Sequence, residues 1–139
     1  MAKVIIYQNS EGIASIVYPL NPNKSIEDIA KRTVPDGTAY EIVEDSQLPS
    51  DKTFRDAWVK GSGVVTEDVT KAKVIAHKTR REKREAEFKP HDDTISLNIP
   101  GTDTSAAETA RAAIRTKYAT MQTNIDNATN IAGIKTALG

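Results

Sequence analysis

Apolar residues follow two rhythms along this chain, and the rhythm changes near residue 66. Before that point, short β-branched runs alternate with turn residues. After it, apolar side chains recur every three or four positions, the spacing of helices. Lys3–Gln8 and Ile13–Tyr18 are β-branched runs separated by Asn9-Ser10-Glu11-Gly12, which predicts a hairpin with glycine at positive φ. Pro19 and Pro22 end the second run, because neither can donate to a ladder. Ser25-Ile26-Glu27-Asp28 matches a capping box and opens a short helix through Thr33, with Ile26, Ile29 and Ala30 inward. Val34-Pro35-Asp36-Gly37 reads as a turn and Tyr40–Glu44 as a third strand. Trp58–Lys60 and Val64–Thr66 flank Gly61-Ser62-Gly63 as a final small hairpin.

In the second rhythm, Thr66 is the expected N-cap of a helix from Glu67 to Phe88. Its first half carries the apolar stripe Val69, Ala72, Ile75 and Ala76, while residues 79–87 are polar on every side. Such a segment is solvated, bridges two bodies or lies on a partner. Pro90 is the expected stop. Residues 91–104 then read as an extended connector, with Ile95, Leu97 and Ile99 on one side of a strand-like Thr94–Ile99. That pattern suits either edge addition to another chain or an arm packed on its own protein. Ser105-Ala106-Ala107-Glu108 is a second capping-box pattern, followed by a seam of Ala107, Ala110, Ile114, Tyr118, Met121 and Ile125. Thr129 is placed to cap a last short helix containing Ile131, Ile134 and Leu138. Facing seams predict a terminal helical hairpin or a coiled-coil contact with other copies. The expected class is α+β: a small N-terminal antiparallel β module with a short helix, then a long charged helix and a C-terminal helical hairpin. The expected divisions are 1–66, 67–90, 91–104 and 105–139.

The segment Leu48-Pro49-Ser50-Asp51-Lys52-Thr53-Phe54-Arg55-Asp56-Ala57-Trp58 holds the only Trp and one of two Phe. Pro49 biases Leu48 away from helix, and Ser50 or Asp51 can cap a short helical turn. On such a turn Phe54 and Trp58 share a face, with Arg55 in reach of the indole. In a chain so poor in aromatics, Trp58 is better placed as the plug of a thin core than as an exposed anchor. Pro49, Asp51, Phe54, Arg55 and Trp58 are therefore expected to lock the fold.

Composition narrows the chemistry. Of 139 residues, 38% are hydrophobic and 5% aromatic, which points to a modest core and to stretches stabilised against partners. Without cysteine there is no disulfide, thiol nucleophile or thiolate metal site. Formal net charge is zero, yet residues 67–90 hold eight Lys or Arg against five Asp or Glu. The run Lys78-Thr79-Arg80-Arg81-Glu82-Lys83-Arg84-Glu85 lacks interleaved aromatics and carries its own glutamates, so a solvated helix face outweighs nucleic-acid binding. His91-Asp92-Asp93 has no partner motif for a metal, and Glu44-Asp45 reads as an exposed strand end rather than a catalytic pair. No phosphate loop, dinucleotide fingerprint or nucleophile elbow occurs. No catalytic residue, cofactor or metal ligand is expected. The N-terminal apolar run is too short for a secretory leader, and no stretch reaches the roughly 20 apolar residues that span a bilayer. A soluble chain made in the cytoplasm, with no membrane partner, is the expectation.

Lys3-Val4-Ile5-Ile6-Tyr7, Val34-Pro35-Asp36-Gly37 and the Leu48–Trp58 run together resemble a group of small proteins of tailed bacteriophages and prophages. That group begins with a strand pair and carries a leucine-proline-x-aspartate-x-x-phenylalanine-arginine-x-alanine-tryptophan motif before a variable helical tail. The resemblance covers roughly residues 1–66. It implies a non-enzymatic virion-associated adaptor of the tail, baseplate or tail-fibre region, present in the host cytoplasm during assembly and then in the virion. A capsid or neck protein, a fibre-assembly chaperone and a small nucleic-acid-binding regulator are the alternatives. Expected partners are other phage structural proteins, with self-association through the C-terminal helices. The contact residues expected are Ile95, Leu97 and Ile99 on the connector and Ile114, Tyr118 and Met121 on the helix.

Overall fold

The computed structural model describes residues 2–139. Its order is β1 (Lys3–Gln8), β2 (Ala14–Val17), α1 (Ile26–Thr33), β3 (Tyr40–Glu44), β4 (Trp58–Lys60), β5 (Val65–Glu67), α2 (Val69–Leu97), α3 (Ser105–Asn127) and α4 (Ile131–Leu138). The class is mixed α+β, with antiparallel N-terminal strands followed by helices. Two compact units divide the chain between Ala72 and Lys73, inside α2.

In the first unit β1 is the middle strand of an antiparallel sheet of order β2-β1-β3, and β4 and β5 form a separate ribbon. Consecutive residues of a strand face opposite sides, so the run Val4-Ile5-Ile6 feeds two cores at once. All three are fully buried. Val4 and Ile6 pack with Ala14, Val43, Trp58 and Val65 on one face. Ile5 packs with Ala30 and Val34, flanked by Ile26 and Ile29 of α1, on the other. Register agrees: Ile5 lies opposite Val17 and Ile42, while Ile6 lies opposite Ile16 and Val4 opposite Val43. The hairpin turn is shaped by Asn9, whose Oδ1 accepts from the N–H groups of Glu11 and Ile13, and by Gly12 at φ 77°. Ser25 caps α1, its hydroxyl accepting from the Asp28 N–H.

The Leu48–Trp58 segment closes the first of these cores. Asp51 Oδ1 accepts from the Thr53 N–H at 2.8 Å, an Asx turn, and a single 3-10 turn follows over Arg55–Ala57. Phe54 and Trp58 are each 1% exposed, Leu48 joins the Trp58 cluster, and the Arg55 guanidinium lies 4.5 Å from the indole centroid. Phe54 and Trp58 do not share a helical face as the i, i+4 spacing suggested. The helical turn is three residues long, and Trp58 already pairs with Glu67 as the first residue of β4. Polar ties join the ribbon to the sheet: the Lys60 N–H donates to Gln8 Oε1 at 2.9 Å, and the Gly63 N–H and Lys60 ammonium both meet Glu41.

Helix boundaries move from their expected places. Asp68, not Thr66, caps α2, its Oδ1 accepting from the Lys71 N–H, because Thr66 is occupied in β5. Pro90 lies inside α2 and does not end it. A proline deletes one backbone hydrogen bond and crowds the preceding turn. Here the next turn is held by a hydrogen bond from Thr94 Oγ1 to the Pro90 carbonyl, a Lys89–Asp93 ion pair and an Asp92–Arg111 ion pair to α3. The real stop is Asn98 at φ 43°, a left-handed position asparagine tolerates, followed by Pro100 and Gly101. The expected connector over 91–104 is thereby corrected to a helical end plus a short turn, and its expected strand is absent from the described residues. Thr104 flanks the start of α3, and Asn130 rather than Thr129 caps α4, accepting from the Gly133 N–H at 2.7 Å.

Two outcomes are expected in urea unfolding followed by circular dichroism. Trp58→Ala destabilises the first unit by about 3–5 kcal/mol, the cost of emptying an aromatic core site. Pro90→Ala restores the missing donor and stabilises the helical unit by about 2 kcal/mol; a loss of stability there would contradict a helix continuous through that residue.

Candidate functional site

The second unit is built from the remainder of α2 with α3 and α4. On α3 the buried residues are Ala107, Ile114, Tyr118 and Ile125, and on α4 Ile134 and Leu138. Polar pairs set the register of α2 against α3. Asp92 meets Arg111 at 3.0 Å, Glu87 meets Lys117 at 2.7 Å, and His77 Nε2 meets Asp126 Oδ1 at 2.8 Å. The numbers fall on one helix as they rise on the other, so the helices run antiparallel. α4 folds back along them, and Lys83 Nζ donates to the Leu138 carbonyl at 3.4 Å.

This arrangement creates open depressions on the unit. One has a volume near 490 Å³ and is lined by Lys83, Glu87, Lys117, Tyr118, Met121 and Leu138 among others. Lys117 and the Tyr118 hydroxyl hold the Glu87 carboxyl below the usual glutamate range. Glu87 in turn raises the Lys117 ammonium above the usual lysine value. Burial, with the neighbouring Glu87 charge, raises the Tyr118 phenol. Each shift favours the form the group already has at neutral pH. The three side chains present fixed charge and a hydroxyl rather than a proton poised to move.

A second depression, near 270 Å³, is lined by Val74, His77, Arg80, Arg81 and Gln122. Arg80 is the one buried charged residue of the described chain, at 6% exposed. Its Nε donates to His77 Nδ1 at 3.3 Å, so the imidazole accepts at Nδ1 and donates at Nε2 to Asp126. Burial is the main cause that lowers the Arg80 pKa, followed by the charges of Arg81 and Arg84. Sequence reasoning treated Arg80 as one member of a solvated run. A signal was present: Ala72 and Ala76 are both fully buried, and Arg80 stands four residues further along the same stripe.

The expected contact residues separate. Ile114 and Tyr118 are buried within the helical unit, so they are not a free seam, and Met121 is half-buried beside them. The seam finds its cover within the helical unit, beside α2 at and before Glu87 and against α4. Ile95 is half-buried near the end of α2, whereas Leu97, its last residue, is 67% exposed and Ile99, in the turn that follows, 54%. They do not form one strand face, because positions two apart on a helix point in different directions. In the first unit Trp58 sits in the thin core with Arg55 over its ring, Phe54 is buried, and exposed Asp51 forms the Asx turn with Pro49 half-buried ahead of it. Asp92 and Asp93 are engaged by Arg111 and Lys89, and no group of three metal-ligating side chains occurs among the described residues. No described helix is long and apolar enough to cross a membrane. Comparison with protein-family models, with curated proteins and with solved structures finds no match.

The lowered Glu87 value fixes the sign of a pH effect. A carboxyl held below its unfolded value contributes stability at neutral pH and loses it as pH falls through the folded value. Glu87→Gln is therefore less stable than wild type at about pH 7, and the gap narrows as acid protonates the Glu87 carboxyl. Urea midpoints from neutral to acid pH measure it; a gap that widens in acid would refute the assignment.

Proposed function

We propose that this protein is a non-enzymatic, virion-associated adaptor of a tailed bacteriophage, acting in the tail, baseplate or tail-fibre region. In this reading the N-terminal unit docks on one structural protein and the helical unit engages another. The observation that carries it is the end of α2 and the turn after it, where Leu97 and Ile99 are held in water at 67% and 54% exposure. Exposed branched side chains at a proline-glycine turn gain free energy only when a partner covers them, at roughly 25 cal/mol per Å² of apolar surface buried. The likeness of the Leu48–Trp58 motif to phage proteins supplies the biological setting. The presence of two units, each with its own buried residues, suits a chain that joins two bodies.

Mass spectrometry of purified virions tests the reading, with the protein expected in particles at a fixed ratio to tail components. Its absence from particles overturns the structural role and leaves the assembly chaperone. The paired change Leu97→Asp with Ile99→Asp is expected to shift stability by less than about 0.5 kcal/mol, because both sites are exposed. Incorporation into particles is expected to fall at least tenfold.

A further inference from the structure

Arg80 is a buried cation that makes no ion pair among the described residues; the one opposing charge acting on it, Asp126, stands on the far side of His77. Its one hydrogen bond goes through Nε to a neutral imidazole nitrogen. Burying a guanidinium without a carboxylate is costly, and proteins normally supply a counter-charge. The surroundings make matters worse. Residues 69–84 contain seven Lys or Arg and a single carboxylate, Glu82. Arg81 and Arg84 act on Arg80 with charge of the same sign. The His77–Asp126 contact at 2.8 Å anchors the imidazole, and the imidazole in turn holds the guanidinium by its Nε edge. That leaves the two terminal nitrogens of Arg80 for whatever occupies the depression it lines with Arg81, Gln122 and Val74.

We propose that this depression binds a tetrahedral oxyanion, inorganic phosphate or the phosphate of a small monoester, through Arg80, Arg81 and the Gln122 amide. Arg80 is pre-positioned by His77, so binding costs it little rotamer freedom. Arg81, on the exposed rim, adds a second guanidinium, and Gln122 a neutral donor from α3. Donors from two helices, two guanidiniums of α2 and an amide of α3, suit the several acceptor oxygens of phosphate. A bound dianion also relieves the crowding of Arg80 by Arg81 and Arg84. Val74, 66% exposed at the edge, offers an apolar contact to the organic part of a monoester.

The test is titration calorimetry of the full chain with inorganic phosphate and with methyl phosphate, against chloride at matched ionic strength. Saturable one-to-one binding that chloride does not reproduce is expected. Replacing Arg80 risks unfolding, so the variants are Arg81→Ala and Gln122→Ala, both at exposed positions. Each is expected to weaken binding about tenfold, the loss of one hydrogen bond to a charged group. Equal affinity for the two ligands assigns the site to monoesters, and preference for inorganic phosphate assigns it to the free ion. A response no greater than that to chloride, or unchanged binding in both variants, overturns the proposal. So does binding of a DNA duplex of about twenty base pairs with no response to either small phosphate, which would indicate an extended nucleic-acid face instead.

Discussion

Burial of both faces of β1 is the constraint on which the first unit depends. A strand alternates its side chains, so three consecutive fully buried aliphatics require cover on two sides. One side receives α1 and the other the β4-β5 ribbon with Trp58. The need for two covers explains why so small a unit carries both a helix and a second sheet. It also explains why the Leu48–Trp58 segment holds the largest side chains. The ribbon is two short strands, and a pair of strands that size is not stable alone. Trp58, Val65 and the polar ties to Gln8 and Glu41 attach it to the sheet it covers. The buried indole Nε1 has no hydrogen-bond partner among the described residues, a cost that its apolar packing must exceed.

The helical unit divides stability and register between different interactions. Its exposed ion pairs are each worth about 0.2–1 kcal/mol, too little to hold helices together. Burying one large aliphatic side chain contributes about 1.5–3 kcal/mol, and Ile114, Ile125, Ile134 and Leu138 are all buried. Apolar contact thus supplies the free energy, but apolar seams tolerate slippage. The spaced pairs 92 with 111, 87 with 117 and 77 with 126 reward a single antiparallel register. The same register carries Arg80 inward beside His77. In the polar second half of α2, residues 81–86 are exposed as a solvated face, while Arg80 is buried and Glu87 is tied to α3.

Local signals in the chain were strong where local chemistry decides. Asn9 and Gly12 specify their turn, Ser25 its helix cap, and the two prolines after Val17 the end of β2, each through a backbone preference that needs no distant partner. The aromatic motif was legible as a core plug because Trp58 and Phe54 have few rivals for that task. The same local logic failed at Pro90. Proline is a penalty of a few kcal/mol and not a prohibition, so packing and ion pairs on the following turn can outweigh it. Once α2 continued, the strand-like alternation of Ile95, Leu97 and Ile99 lost its meaning.

The candidate oxyanion site marks the boundary between what each level decided. By itself the sequence determined the change from strand to helix near residue 66, the hairpin, the Ser25 cap, the burial of Trp58 and the excess of positive charge after residue 67. Those features follow from residue spacing, backbone preference and composition. Only tertiary structure decided which of the clustered cations is buried, which histidine nitrogen accepts from it and which apolar residues remain in water. Those depend on the register between α2 and α3, set by contacts some thirty to fifty residues apart. Pairings at that separation leave no period in the sequence to read.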